Sequence, residues 1–94
     1  MSADDARDQL ADCRAQLDQI DSRLVELLTR RAELALSIGA AKRAAGLPIH
    51  APEREAVVIE RAAQAATGAL DADTAARMFA VIVAETRALQ QRQP

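Results

Sequence analysis

Apolar residues recur at alternating steps of three and four through the first half of the chain. Two series with a spacing of seven form this seam: Leu10, Leu17, Leu24 and Ile38 in one, and Cys13, Ile20, Leu27, Leu34 and Ala41 in the other. A heptad seam that is held for more than four repeats is typical of a helix packed lengthwise against other helices. We therefore predict one very long helix from Asp4 to about Ala45, roughly forty residues.

One seam position, between Leu24 and Ile38, carries Arg31. A guanidinium in a packing seam costs several kcal/mol in desolvation unless an anion meets it. Lys42 follows 11 residues later, three helical turns, so both cations lie on nearly the same side, about 16 Å apart. Two cations that flank an apolar wall fit a multiply charged anion. The same pattern has two simpler explanations. The basic face is solvated, or the aliphatic part of the arginine lies along the core while its guanidinium stays in water.

The second half of the chain predicts two shorter helices. Gly46 supplies a left-handed cap that ends the first helix, and Pro52 suits the first turn of the second, which runs to Gly68. Asp71 or Asp73 opens the third helix. One face of this third helix is apolar and turns polar toward its end: Met78, Phe79, Ile82 and Val83, then Thr86 and Gln90. The fold class is therefore all-α, with three helices.

Size and composition narrow the class of protein. The chain has 94 residues, so we expect one domain over 1–94 with a core at about 5–91 and no second domain for a fused activity. Because only 1% of the residues are aromatic, the core of a single chain is small, and we expect oligomerisation. A net charge of −2 argues against a nucleic-acid partner. No membrane span and no signal peptide are apparent, which predicts a cytoplasmic location. Cys13, the single cysteine, is expected to be a buried small hydrophobe.

Three separated motifs agree in order and spacing with a known family. They are LDQIDSRLVELLTRRAELALSIGAAK from Leu17 to Lys42, the stretch Pro52-Glu53-Arg54-Glu55, and Arg77-Met78-Phe79 followed by Thr86 and Gln90. Together they cover roughly Leu10 to Gln91, and they resemble the all-helical class of chorismate mutases, the type II family. The resemblance implies an intertwined homodimer in which the long first helices of two protomers run past each other.

The resemblance also implies an isomerase (an intramolecular transferase) that rearranges chorismate to prephenate in aromatic amino acid synthesis, without a nucleophile, metal or cofactor. Arg31 and the partner's Arg14 would clamp the two carboxylates of this small dicarboxylate. Lys42 and Gln90 would stabilise negative charge on the breaking ether bond. The implied catalytic residues are Lys42, Gln90 and Arg31, and the implied substrate-binding residues are Arg14, Arg31, Lys42, Arg54, Glu55, Thr86 and Gln90. Glu55 would accept from the ring hydroxyl.

Helix geometry independently favours a site shared between two chains. Arg14 and Lys42 are 28 residues apart, which is about 42 Å along a straight helix. A small metabolite cannot touch both side chains within one protomer. An antiparallel partner could instead deliver its own Arg14 to the pocket. Beyond this second copy and the substrate, we expect no partner of the nucleic-acid or membrane class.

Alternative functions follow from one departure. Many members of the family carry Asp just before the Pro-Glu-Arg stretch, where this chain has Ala51. The isochorismate pyruvate lyases of the family resemble this Ala-Pro-Glu-Arg run, and a 4-amino-4-deoxychorismate mutase is a further variant. Glu55 argues against the lyase, because its carboxylate suits the 4-hydroxyl of chorismate. A helical dimerisation module without a small-molecule site is the alternative from another class. His50 is expected to face solvent without a catalytic task.

Overall fold

The computed structural model describes residues 1–94 and contains three α-helices and no strand: α1 (Ala3–Ala44), α2 (Pro52–Ala65) and α3 (Ala72–Gln91). The prediction of an all-α chain with three helices is confirmed. The chain divides into two compact units, Met1–Glu33 and Leu34–Pro94. The first consists of most of α1, and the second of the end of α1 with α2 and α3. The assignment of 1–94 to one domain stays a prediction.

Both ends of α1 have identifiable caps. Ser2 Oγ accepts a hydrogen bond from the backbone N–H of Asp5 at 3.1 Å, so Ser2 caps the helix, and neither Asp4 nor Asp5 does. At the other end Gly46 has φ +70°, as predicted for a left-handed cap. The N–H of Leu47 donates to the Lys42 carbonyl at 2.8 Å, which satisfies one of the last carbonyls of the helix.

The ends of α2 and α3 also follow from local chemistry. Pro52 is the first residue of α2, as predicted, because its missing N–H costs nothing there. The predicted end of α2 at Gly68 is wrong: the helix stops at Ala65, since Ala66 is already extended at ψ 134°. Asp71 caps α3, and its side chain accepts from the N–H of Thr74 at 2.7 Å.

Small residues bring helices together in the second unit. Its buried residues are Ala35 and Gly39 of α1 with Ala75, Val83 and Gln90 of α3. A Cβ placed on Gly39 would lie 3.4 Å from Cγ of Gln90, which is ordinary van der Waals contact. Gly39 therefore lies against the side chain of Gln90. α2 packs against α3 in the same unit.

The heptad seam of the first unit is exposed in the single chain. Its five large apolar side chains each expose between 48% and 56% of their surface: Leu10, Leu17, Ile20, Leu24 and Leu27. Cys13 is exposed as well, so the prediction of a buried cysteine is wrong for one chain by itself. Despite this exposed apolar stripe, none of the three helices combines the length and the apolar character that crossing a membrane requires.

Candidate active site

Gln90 is the buried polar residue of the second unit, with 8% of its surface exposed. Its Nε2 donates to the carbonyl oxygen of Ala35 at 2.8 Å. Its own backbone carbonyl accepts a hydrogen bond from the guanidinium of Arg43. Because a carbonyl can only accept, the contact with Ala35 fixes which end of the amide carries the nitrogen. An amide nitrogen has two N–H groups, so the contact with Ala35 uses one of the two donors of Gln90.

Lys42 occupies the last turn of α1 and is half-buried. Its Nζ donates to the carbonyl oxygen of Ile49 at 3.1 Å, in the loop between α1 and α2. An ammonium group carries three N–H donors, so this contact orients the lysine and leaves further donors. The loop carbonyl thereby holds a cation beside the start of α2.

Glu55 is held from two other elements. Its Oε1 accepts from Arg87 NH1 of α3 at 2.5 Å, and its Oε2 lies 3.7 Å from His50 Nε2. The side chains of Glu55 and Arg87 are 22% and 28% exposed, so water screens this pair less than a surface pair. His50 is about half exposed, in agreement with the predicted solvent-facing position, but it also neighbours the carboxylate.

Thr86 and Arg54 complete the predicted residues of the second unit. Thr86 is half-buried on α3, and its Oγ1 donates to the carbonyl of Ile82 at 2.6 Å, so its proton is held by its own helix. Arg54 lies in the first turn of α2 and is exposed. Ala51, the residue at which the chain departs from the family motif, is the N-cap of α2 and makes no side-chain capping bond.

The two predicted arginine clamps belong to the first unit. Arg14 is exposed, whereas Arg31 is half-buried, and both lie on α1. The second unit therefore contains five of the seven predicted site residues: Lys42, Arg54, Glu55, Thr86 and Gln90.

Two charged residues beside the candidate site were not predicted. Arg43 donates to the Gln90 carbonyl, and a basic residue in the last turn of a helix is a signal that could have drawn attention to it. Arg87 pairs with Glu55 across 32 positions in sequence. No local pattern marks this pair, because it depends on which face of α2 packs against α3.

Comparison with known proteins places these residues in a family. The model of the family described as chorismate mutase type II matches residues 13–91. A bifunctional chorismate mutase/prephenate dehydratase of Aquifex aeolicus is 44% identical over 54 residues, 57% of this chain and 15% of that protein. This chain spans 15%, 24% and 25% of the length of three bifunctional relatives of this kind.

Other relatives match over most of both lengths. A chorismate mutase of Methanocaldococcus jannaschii is 28% identical over 86 residues, 90% of this chain and 87% of that protein. A 4-amino-4-deoxychorismate mutase of Streptomyces venezuelae is 34% identical over 80 residues, 84% of this chain and 78% of that protein.

Solved structures agree with the sequence matches. The form II chorismate mutase of Thermus thermophilus has a TM-score of 0.86 at 25% identity and covers 90% of this chain and 97% of its own. The chorismate mutase of Helicobacter pylori in complex with prephenate has a TM-score of 0.81 at 28% identity, and the match covers 89% of this chain and 91% of that chain. The family match over residues 13–91 and these two folds lead to one conclusion: the chain belongs to the chorismate mutase type II family.

Proposed function

We propose that this chain is an isomerase that rearranges chorismate to prephenate. The observation that carries the proposal is the extent of the family match, which runs from residue 13 to residue 91 and so includes every predicted site residue from Arg14 to Gln90. A relative and a structural neighbour that cover most of this chain are both chorismate mutases, and the neighbour binds prephenate. These similarities support the same reaction here.

The mechanism that we propose is electrostatic. The ether bond of chorismate breaks as a new carbon–carbon bond forms, and negative charge grows on the ether oxygen. Lys42 and Gln90 donate hydrogen bonds to that oxygen. Preorganised donors are effective because they need not reorient during the reaction. The contacts of Lys42 with Ile49 and of Gln90 with Ala35 support such preorganisation, since each holds its donor group in place.

Substrate binding in this proposal requires two protomers. Arg31 and Arg14 of the partner subunit hold the two carboxylates, and this restraint keeps the enolpyruvyl arm over the ring in the reactive shape. Thr86 assists at a carboxylate, whereas Arg54 and Glu55 line the ring end. The exposed seam of α1 supports an intertwined homodimer, because two copies packed lengthwise would remove its leucines from water.

The test is to offer chorismate, isochorismate and 4-amino-4-deoxychorismate to the purified chain in parallel. We expect chorismate to be consumed and prephenate to form.

Lys42→Ala should lower kcat at least a hundredfold, because losing such a donor costs about 2.7–4 kcal/mol. Arg31→Ala should raise KM as well. Arg23→Ala is the matched control in α1: its exposed ion pair with Glu26 at 3.3 Å contributes little, so activity should be retained. A folded dimer with no turnover would contradict the proposal.

Two other substrates on the same fold are the second candidates. The Streptomyces venezuelae relative favours 4-amino-4-deoxychorismate, and Ala51 favours isochorismate and a lyase reaction. If the chain turned over 4-amino-4-deoxychorismate or isochorismate in preference to chorismate, that compound would replace chorismate as the assigned substrate. Arg31→Leu distinguishes a non-enzymatic dimerisation module. In such a module the substitution should only stabilise the protein, because an apolar residue replaces an unneeded buried charge. In the enzyme it should abolish activity while stability is retained or gained.

A further inference from the structure

We propose that Arg87 determines specificity by making the ring end of the site prefer a neutral hydroxyl to a cationic amino group. This inference rests on the proposed function, in which Glu55 receives the ring substituent. Arg87 is not among the residues to which the family motifs give a role. The residue lies on α3, one position after Thr86, and its guanidinium reaches across to the start of α2.

The charge of the Glu55 carboxylate is already balanced within the protein. Arg87 NH1 lies 2.5 Å from Oε1, and the imidazole of His50 lies 3.7 Å from Oε2. The other charged residues of the same turn of α2, Glu53 and Arg54, add one anion and one cation. Since the Glu55–Arg87 pair is only 22% and 28% exposed, solvent does little to weaken the field of either partner. The formal charge of the pair is zero.

This balance distinguishes between substituents on the substrate ring. An ionised carboxylate offers about four lone-pair sites, so Glu55 can accept from a hydroxyl while it remains bonded to Arg87. An ammonium group at the same place would be attracted by the Glu55 carboxylate and repelled by the guanidinium, so Arg87 cancels much of the attraction that an unpaired carboxylate would offer a cation. Arg87 is therefore the repulsive element that specificity between two close analogues requires.

A purely structural role makes a different prediction. If the pair only ties α2 to α3, its loss should reduce turnover of both substrates by the same factor, because a loosened site serves neither. If Arg87 excludes a cation, its loss should change the ratio of the two kcat/KM values. The selectivity ratio thus separates the two roles, whereas activity on one substrate does not.

The experiment compares chorismate with 4-amino-4-deoxychorismate for the wild-type protein, Arg87→Met and Arg87→Lys. Arg87→Met keeps the aliphatic stem and removes the charge, whereas Arg87→Lys keeps the charge. We expect the wild type to prefer chorismate. Arg87→Met should shift the kcat/KM ratio by about tenfold or more toward the amino substrate, mainly through its KM. Arg87→Lys should keep the wild-type ratio, and so should the control Arg61→Met on the exposed side of α2.

Each outcome decides the matter. An unchanged ratio in folded Arg87→Met, or a wild type that uses the amino substrate as well as chorismate, overturns the inference and leaves the fold-level assignment intact. A wild type that uses neither substrate overturns the proposed function and this inference with it. If Arg87→Met does not fold, Arg87→Gln replaces it: it removes the charge and keeps a polar side chain, so the ratio should again shift toward the amino substrate, and an unchanged ratio refutes the role of Arg87.

Discussion

Gln90 is a polar residue with 8% of its surface exposed, and its side chain lies against Gly39 of another helix. Gly39 lacks a side chain at the point where the Gln90 stem crosses α1. The amide can therefore reach the carbonyl of Ala35, one turn earlier on the same helix. A buried amide without a partner would cost about 1–3 kcal/mol. Gly39 and the hydrogen bond from Gln90 to Ala35 thus lie at the same contact between Gln90 and α1.

Gly39 can be tested with two substitutions of increasing size. A Cβ at this position would lie 3.4 Å from Gln90 Cγ and 3.7 Å from Arg43, so alanine fits. Gly39→Ala should raise the free energy of unfolding by up to about 1 kcal/mol, because alanine is the better helix former, and kcat should be retained. Gly39→Val should lower stability by about 1–3 kcal/mol through overpacking and reduce kcat by displacing Gln90. Urea unfolding and turnover measure both. Loss of activity in Gly39→Ala would contradict this account.

The capping residue of α3 predicts a pH dependence of stability. The backbone N–H of Thr74 donates to Asp71 and, with the Thr74 side chain and Arg77, lowers the pKa of that carboxyl below its ordinary value. A lowered folded-state pKa means that the stabilisation is present above the unfolded pKa, about 3.9, and is lost as pH falls through the folded value. Asp71→Ala should therefore lower Tm at pH 7, and the difference from wild type should shrink below pH 4.

Asn at position 71 is the matched control. It caps a helix N-terminus about as well as Asp but does not titrate. Asp71→Asn should keep most of the stability at pH 7 and show no additional loss between pH 5 and pH 3 from this position. A Tm difference between Asp71→Ala and wild type that stays constant across this range would exclude the carboxylate as its source.

At the scale of elements, the three helices begin in different ways. Ser2 caps α1 and Asp71 caps α3 with side-chain hydrogen bonds, whereas Ala51 precedes α2 without one. α2 relies on Pro52 and on the acidic side chains of its first turn, Glu53 and Glu55, which interact favourably with the helix dipole. Glu55 is also bound to Arg87, so the start of α2 combines a helix terminus with the candidate site.

A capping residue at position 51 should therefore stabilise the chain. Ala51→Ser should raise the free energy of unfolding by about 1 kcal/mol, because a hydroxyl can accept from an N–H of the first turn. Ala51→Asp should gain less, since its carboxylate would lie four residues before Glu55 and like charges at that spacing repel. Denaturant unfolding of the three proteins checks the order. Equal stability of all three would show that the backbone at Ala51 does not permit capping.

At the scale of the whole molecule, the exposed seam of α1 is the surface that the proposed dimer would bury. Five large apolar side chains of the first unit are about half exposed. Arg14 lies on the same helix, 28 residues before Lys42 in the sequence. In the proposed dimer one interface buries the seam and also completes two equivalent sites, so assembly and catalysis depend on the same contact.

Mixed dimers test the shared site. Arg14→Ala and Lys42→Ala should each be nearly inactive. Unfolded together and refolded at equal amounts, they should recover about a quarter of wild-type activity, because half of the dimers are mixed and each mixed dimer has one intact site. Lys42→Ala refolded with Gln90→Ala is the control and should recover nothing, since both residues act from the same protomer. No recovery in the first mixture would refute the contribution of Arg14 from the partner.

Much of the fold could be predicted because its signals are local. The cap at Gly46, the first turn at Pro52 and the capping role of Asp71 each depend on residues within a few positions, and the structure has all three. The predicted end of α2 at Gly68 was wrong, since neighbouring residues offer competing turns. The roles of the seven site residues came from family resemblance and stay predictions.

The sequence by itself determined the three helices, the apolar seam of α1 and the family, because periodicity, caps and motifs are properties of short stretches. The tertiary structure decided which distant groups meet. It pairs Gln90 with the carbonyl of Ala35, 55 positions away, and Arg87 with Glu55, 32 positions away. Such pairs depend on how helix faces pack, and packing is a cooperative result of the whole chain that no local pattern contains.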